Sequence, residues 1–212
     1  MLYSKEELKP IADLCVKHNI FVISDEIYEK IIYDTQEFCS IASLGKEIYD
    51  LTITVNGVSK AYSMTGWRIG YCAGREDIME YIKKFQDHTT SNPTSISQEA
   101  ALQALNEPEE KIKGMCDIFK KRRDLICSLF DTIKEVSYIK PQGAFYLFCD
   151  FSKLGNTESI AKRILEDVNV AVIPGDGFGA PGFIRLSFAT SDERIREGVK
   201  RISEWIKKNA LG

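Results

Sequence analysis

The sequence has 212 residues, of which 44% are apolar and 28% charged, the balance of an ordinary globular fold with a real core. Its 28 basic and 31 acidic residues give a net charge of -3, and the basic residues are spread along the chain. No global field therefore draws it to nucleic acid or to an anionic membrane.

No apolar run approaches the ~20 residues needed to span a bilayer, and the opening residues lack a signal-peptide core segment. The six cysteines (Cys15, Cys39, Cys72, Cys116, Cys127, Cys149) contain no Cys-x-x-Cys pair. They read as reduced thiols of a cytoplasmic protein. With His18 and His88 as its only histidines, the chain is a poor source of a metal site, and none is expected.

Ser4 and Glu7 have the spacing of a capping box, and Leu8, Ile11, Ala12 and Cys15 follow on one helical stripe. Pro10 lies past the first turn, so the helix either kinks there or begins later. Ile20 to Ser24 is a short continuous apolar run, as in a buried parallel strand, and Leu51–Val55 and Arg68–Ala73 repeat the pattern. Buried strands alternating with helical stretches predict an α/β layer architecture.

From Ser95 the period changes. Ile96, Ala100 and Ala104 form one stripe that breaks near Pro108. A longer stripe, Ile112, Cys116, Phe119, Ile126, Leu129/Phe130 and Ile133, predicts a long amphipathic helix. Strand-like runs at Gly143–Phe151, Val170–Ile173 and Phe183–Ala189 flank a helix from about Thr157. A last helix, capped by Ser191, carries Ile195, Val199, Ile202 and Ile206. The second half thus reads as a smaller α+β domain, giving expected domains at 1–108 and 109–212.

Three clusters can carry chemistry. Asp25 and Tyr28 follow the first strand, where open α/β sheets place their ligands; the plainer reading is a loop aspartate capping a helix. Lys60 follows another strand among small residues, with Arg68 eight positions on, an arrangement that suits an amine nucleophile beside a bound phosphate. In Phe183–Ala189, alternation sets Ile184, Leu186 and Phe188 on one face and Arg185 on the other. Arg185 is then either half of a structural ion pair or a fork for a substrate carboxylate. Gly177-Phe-Gly179-Ala-Pro-Gly182 matches the dinucleotide-binding fingerprint letter by letter, but Pro181-Gly182 leads into a strand and not a helix, so it reads as a flexible connecting loop.

Taken together these segments resemble the class I/II aminotransferases of the aspartate aminotransferase-like fold. The resemblance rests on Ser24-Asp25-Glu26-Ile27-Tyr28, Ser59-Lys60-Ala-Tyr-Ser-Met-Thr-Gly-Trp-Arg68-Ile-Gly, Thr90-Ser-Asn-Pro-Thr-Ser95, Pro141-Gln-Gly-Ala-Phe-Tyr146 and Phe183-Ile-Arg185-Leu-Ser-Phe. They occur in family order across nearly the whole chain, and the Ser-Lys to Arg segment is highly specific.

The resemblance implies the cofactor pyridoxal 5'-phosphate. It makes Lys60 the catalytic lysine that binds the cofactor and moves the substrate's α-proton. It sets Asp25 against the pyridine nitrogen, Tyr28 on the ring oxygen, and Arg68 with Ser59 on the phosphate. Arg185 is then the ligand of the amino acid's α-carboxylate, and the Thr90-Ser-Asn stretch reaches a partner subunit's phosphate in a homodimer. The implied reaction moves an amino group between an α-amino acid and a 2-oxo acid. Within the same fold, a lyase performing β-elimination or carbon–sulfur cleavage uses the same residues, and a non-catalytic dimerisation or binding module is a third reading. The segment starting at Tyr3 follows, in the family, an Asn-Pro-x-x-Pro-Thr-Gly motif. The resemblance therefore also implies that the amino-terminal half of a full enzyme lies outside this sequence, leaving the chain weak or inactive alone.

Overall fold

The computed structural model describes residues 2–34 and 36–209. They fall into two compact units, Met1–Cys116 and Asp117–Gly212.

The first unit opens with helix α1 (Lys5–His18), closed at its start by the Ser4/Glu7 capping box. Pro10 lies within it, so the helix neither starts later nor stops there. It ends at Asn19, which takes the left-handed conformation common at helix ends. Its buried residues are Ala12 and Cys15, packed with partly buried Leu8 and Val16, whereas Ile11 points outward.

Strand β1 (Val22–Asp25) runs parallel to β2 (Thr52–Gly57), which a short helix α2 (Lys46–Leu51) precedes. Ile41, Ile48 and Leu51 join Ala12, Cys15 and Val22 in one apolar cluster, so this end of the sheet is packed on one face. The opposite face is open. Ile23 keeps 73% of its surface exposed, which corrects the expectation of a fully buried strand.

Strand β3 (Gly70–Ala73) pairs antiparallel to β2 and is exposed throughout, a second departure from the buried parallel pattern. The reason is the short connection between them: residues 58–69 turn back without a crossover helix, and a strand that returns directly must run antiparallel. Helix α3 (Glu76–Thr89) follows with none of its residues buried. Helix α4 (Ser95–Leu105) buries Ser97, Ala101 and Ala104 and turns Ile96 out, so the expected stripe is displaced around the helix.

Helix α5 (Glu109–Phe130) contains the division between the units. In the second unit, β4 (Ser137–Tyr138), β5 (Tyr146–Asp150), β6 (Ile173–Pro174) and β7 (Phe183–Ser187) form an antiparallel sheet of order β4-β5-β7-β6. Leu147, Cys149, Ile184 and Leu186 point into the core, as period-two alternation requires. Helix α6 (Thr157–Val168) packs on β7 and on α7 (Asp192–Asn209), whose Ile195, Val199, Ile202, Trp205 and Ile206 are buried. The mixed α/β architecture of both units is the one expected.

Candidate functional site

In the first unit the topology gathers the predicted residues at one end of the sheet. β1 and β2 are parallel and Asp25 pairs with Val55, so both strands finish at the same edge. Tyr28 lies three residues past β1, and Ser59 and Lys60 lie just past β2. β3 runs the other way and starts there, Gly70 opposite Gly57, which brings Arg68 back to that edge. Asp25, Tyr28, Ser59, Lys60 and Arg68 thus share the carboxyl edge of the two parallel strands.

Local contacts surround Asp25, Tyr28, Lys60 and Arg68. Asp25 caps no helix; its Oδ1 accepts the Ile27 N–H at 3.2 Å in a local turn, and its side chain remains exposed. Lys60 Nζ lies 5.8 Å from the centre of the Tyr28 ring, on its face. The loop bearing Lys60 is anchored by Val58, fully buried against Ala101 and Ala104 of α4, with Tyr62, Met64 and Ile69 packed around it. Arg68 adopts left-handed backbone angles (φ 50°), and its Nη1 donates to the Thr65 carbonyl at 2.9 Å. That conformation costs a non-glycine residue on the order of 1 kcal/mol and persists only where surrounding packing imposes it.

Two glycines close the base of the loop. A Cβ on Gly57 would meet the Gly70 Cα at 3.0 Å and the Ile69 carbonyl at 3.1 Å, and one on Gly70 would meet the Asn56 carbonyl at 3.1 Å. Nearby, burial and then the charge of Glu29 push the phenols of Tyr62 and Tyr71 above their ordinary value. Glu26, between Asp25 and Tyr28, has no role in the sequence reading yet is buried. Its Oε1 accepts the Ser24 and Ser40 hydroxyls at 2.9 and 2.6 Å, and its N–H donates to the Val55 carbonyl. Its adjacency to Asp25 gave no signal of burial, because the Ser40 partner is distant in sequence.

This donor set suits an aldehyde-bearing, phosphorylated pyridine. It offers an amine, a phenol beside it, a carboxylate, and a guanidinium with a hydroxyl, all on an edge where small residues leave room for close approach. Among the described residues no group of His, Cys, Asp or Glu could hold a metal ion, and no helix is long and apolar enough to cross a membrane.

In the second unit Arg185 is central in β7, on the face away from the core, opposite Phe148 of β5. Neither of the two sequence readings anticipated its surroundings. Its guanidinium carbon lies over the rings of Tyr146 and Phe178, 4.4 Å from each centre. Among the described residues it forms no ion pair or hydrogen bond. The structural ion pair is therefore excluded within that set. Phe178 comes from the glycine-rich segment, which opens no α-helix: Gly175–Phe178 is a single 3-10 turn before β7. Thr90 closes α3, Ser91 and Asn92 connect it to α4, and the Asn92 side chain donates to the Pro93 carbonyl.

Comparison with known proteins agrees with this architecture. The sequence model of the family Aminotransferase class I and II matches residues 1–202. An aspartate aminotransferase of Bacillus sp. (strain YM-2) is 45% identical over 98% of this chain and 54% of its own length. A probable aspartate/prephenate aminotransferase of Aquifex aeolicus is also 45% identical, over the same shares. Among solved structures, an aromatic aminotransferase from Pyrococcus horikoshii superposes with a TM-score of 0.93 at 36% identity, covering 99% of this chain and 57% of that one. An aspartate aminotransferase from Thermotoga maritima gives 0.88 at 38% identity, covering 98% and 53%. The chain thus spans about half the length of the curated relatives it matches. Identity of this order along nearly the whole chain, with the family model matching residues 1–202, places the protein in the class I and II aminotransferase family.

Proposed function

We propose that this chain carries the lysine-bearing part of an aminotransferase site that moves an amino group between an α-amino acid and a 2-oxo acid. The observation that carries the reading is the gathering of Asp25, Tyr28, Ser59, Lys60 and Arg68 at one sheet edge. The family uses pyridoxal phosphate, and when bound it supplies an electron sink for charge developing at the substrate's α-carbon.

In this reading Lys60 anchors the cofactor and then takes and returns the α-proton. Asp25 keeps the ring nitrogen protonated by placing a negative charge against it. Tyr28 donates a hydrogen bond to the ring oxygen. Arg68 holds the phosphate, and Ser59 adds a hydroxyl donor. Arg185 grips the α-carboxylate through two parallel hydrogen bonds. Work on free amino and 2-oxo acids as a homodimer in the cytoplasm belongs to the same reading, and six free thiols support a reducing compartment.

The test is chemical. Incubation with pyridoxal phosphate, borohydride reduction and peptide mapping should label Lys60 selectively, and the label should vanish in Lys60→Ala. Labelling spread over many lysines counts against the proposed site. In an assay with an amino acid and a 2-oxo acid, a new amino acid as product supports transfer, whereas released ammonia supports elimination.

A further inference from the structure

The surroundings of Arg185 go beyond the identity of the residue itself. A guanidinium is weakly hydrated on its faces and carries its five N–H donors in its plane. Here two aromatic rings lie against it, and neither takes a donor as a carboxylate would. Tyr146 and Phe148 share the outer face of β5 with Arg185 of the adjoining β7, and Phe178 reaches the same place from the segment between β6 and β7. Further rings continue the row. Phe145 lies 4.9 Å from Tyr146, Phe148 meets Phe178 edge-on at 6.3 Å, and Phe183 stacks on Phe148 at 5.0 Å.

Phe178 is held there by built contacts, although 50% of its surface is exposed. The buried Thr157 hydroxyl donates to Asp176 Oδ2 at 3.1 Å and accepts the Gly182 N–H at 3.3 Å, tying both ends of the segment together. The Ala180 N–H donates to the Gly175 carbonyl at 3.0 Å, and the Gly179 N–H to Asp176. The segment is therefore a hydrogen-bonded bracket, which corrects the expectation of a flexible connector.

We infer that Phe178 and Tyr146 are positioning residues, holding the Arg185 guanidinium by its π-electron contacts so that its N–H rim stays available to a carboxylate. A carboxylate partner from the protein would hold the side chain equally well, but it would occupy the donors that the ligand needs. Aromatic faces restrain the cation without using them. The ligand class is a planar carboxylate arriving in the guanidinium plane, with an apolar remainder tolerated beside the ring row. The inference rests on the proposal that Arg185 binds substrate carboxylate.

Phenylglyoxal modification of Arg185 tests it, followed by peptide mass spectrometry with and without 2-oxoglutarate, and with exposed Arg196 as internal reference. The full chain is compared with Phe178→Leu, which keeps an apolar side chain without a π face, and Phe178→Tyr, which restores one. In the unaltered chain 2-oxoglutarate should slow labelling of Arg185 and leave Arg196 unchanged. Phe178→Leu should need about three- to five-fold more 2-oxoglutarate for the same protection, the fold-change expected for one exposed cation–π contact, and Phe178→Tyr should return to the original value. Equal protection in the original chain and Phe178→Leu overturns the positioning role and leaves the carboxylate site standing. Absence of protection in the unaltered chain overturns the carboxylate site, and the positioning role with it.

Discussion

Arg123 has 1% of its surface exposed, within the apolar face of α5. A buried guanidinium is tolerable only where its donors are met. Nε donates to Asp124 at 3.0 Å and Nη1 to the Pro141 carbonyl at 3.2 Å, so this side chain joins the helix to the segment that leads into Tyr146. Asp124 also takes Lys120 at 3.2 Å and Lys140 at 2.9 Å. Burial pushes the Asp124 carboxyl up, but hydrogen bonds from Lys140, Lys120 and Arg123 outweigh it and hold the group below its ordinary value. A depressed carboxylate contributes stability above its unfolded pKa, about 3.9, and loses it as pH falls through the lower folded value. Asp124→Asn should therefore lower the melting temperature at neutral pH and flatten its decline below about pH 4. Thermal melts from pH 7 to pH 2 check this; a decline parallel to that of the unaltered chain counts against it. Arg123 was readable in part. It falls on the stripe of Phe119, Ile126 and Phe130, but a charge at such a position is ordinarily solvated, and the Pro141 carbonyl that satisfies it lies far along the chain.

At the scale of elements, caps and alternation were legible because they are local. The Ser4/Glu7 box and the inward Ile184, Leu186 and Phe188 lie where spacing put them. Stripe phase was less legible. In α4 the small residues Ser97, Ala101 and Ala104 face inward because Val58 and its loop pack there, which hydrophobicity alone does not favour over Ile96. The direction of β3 was not legible, since an apolar run is the same read in either sense. The glycine-rich bracket shows a further limit: its pattern copied another motif, whereas Gly179 and Gly182 serve positive φ (69° and 89°) and Gly175 lies against Ala180 and Phe183. A Cβ on Gly175 would lie 2.3 Å from the Ala180 carbonyl oxygen and 2.9 Å from the Phe183 Cβ. Gly175→Ala should accordingly destabilise the second unit by about 2–3 kcal/mol, seen as a lower urea midpoint. Gly177→Ala, whose Cβ meets nothing within 4 Å, should leave that midpoint near its original value.

For the whole molecule, family and architecture were recognisable because the motif segments keep their order, whereas burial in the first unit's strands was not, because it depends on what lies against each face. Ile23, Tyr81 and Phe85 each keep more than 70% of their surface exposed, on β1 and α3 of the first unit. Large exposed apolar side chains favour association between chains. The triple variant Ile23→Lys, Tyr81→Lys, Phe85→Lys should raise the concentration at which light scattering first increases, with little change in melting temperature because each side chain is largely exposed. An unchanged onset of scattering would place the association elsewhere.

The pairing of Gly57 with Gly70 has a consequence for how binding and folding are divided. Residues 58–69 form a chain segment whose ends the sheet already joins, so the entropy of closing that loop is lost during folding and not when a ligand arrives. A group held by both Lys60 and Arg68 would meet two side chains whose separation is already bounded. Loop-closure entropy changes by only about 0.6 kcal/mol when loop length doubles. Lengthening this segment would thus leave the fold nearly as stable while moving the amine and the guanidinium out of mutual register, so its length is constrained far more by binding than by folding.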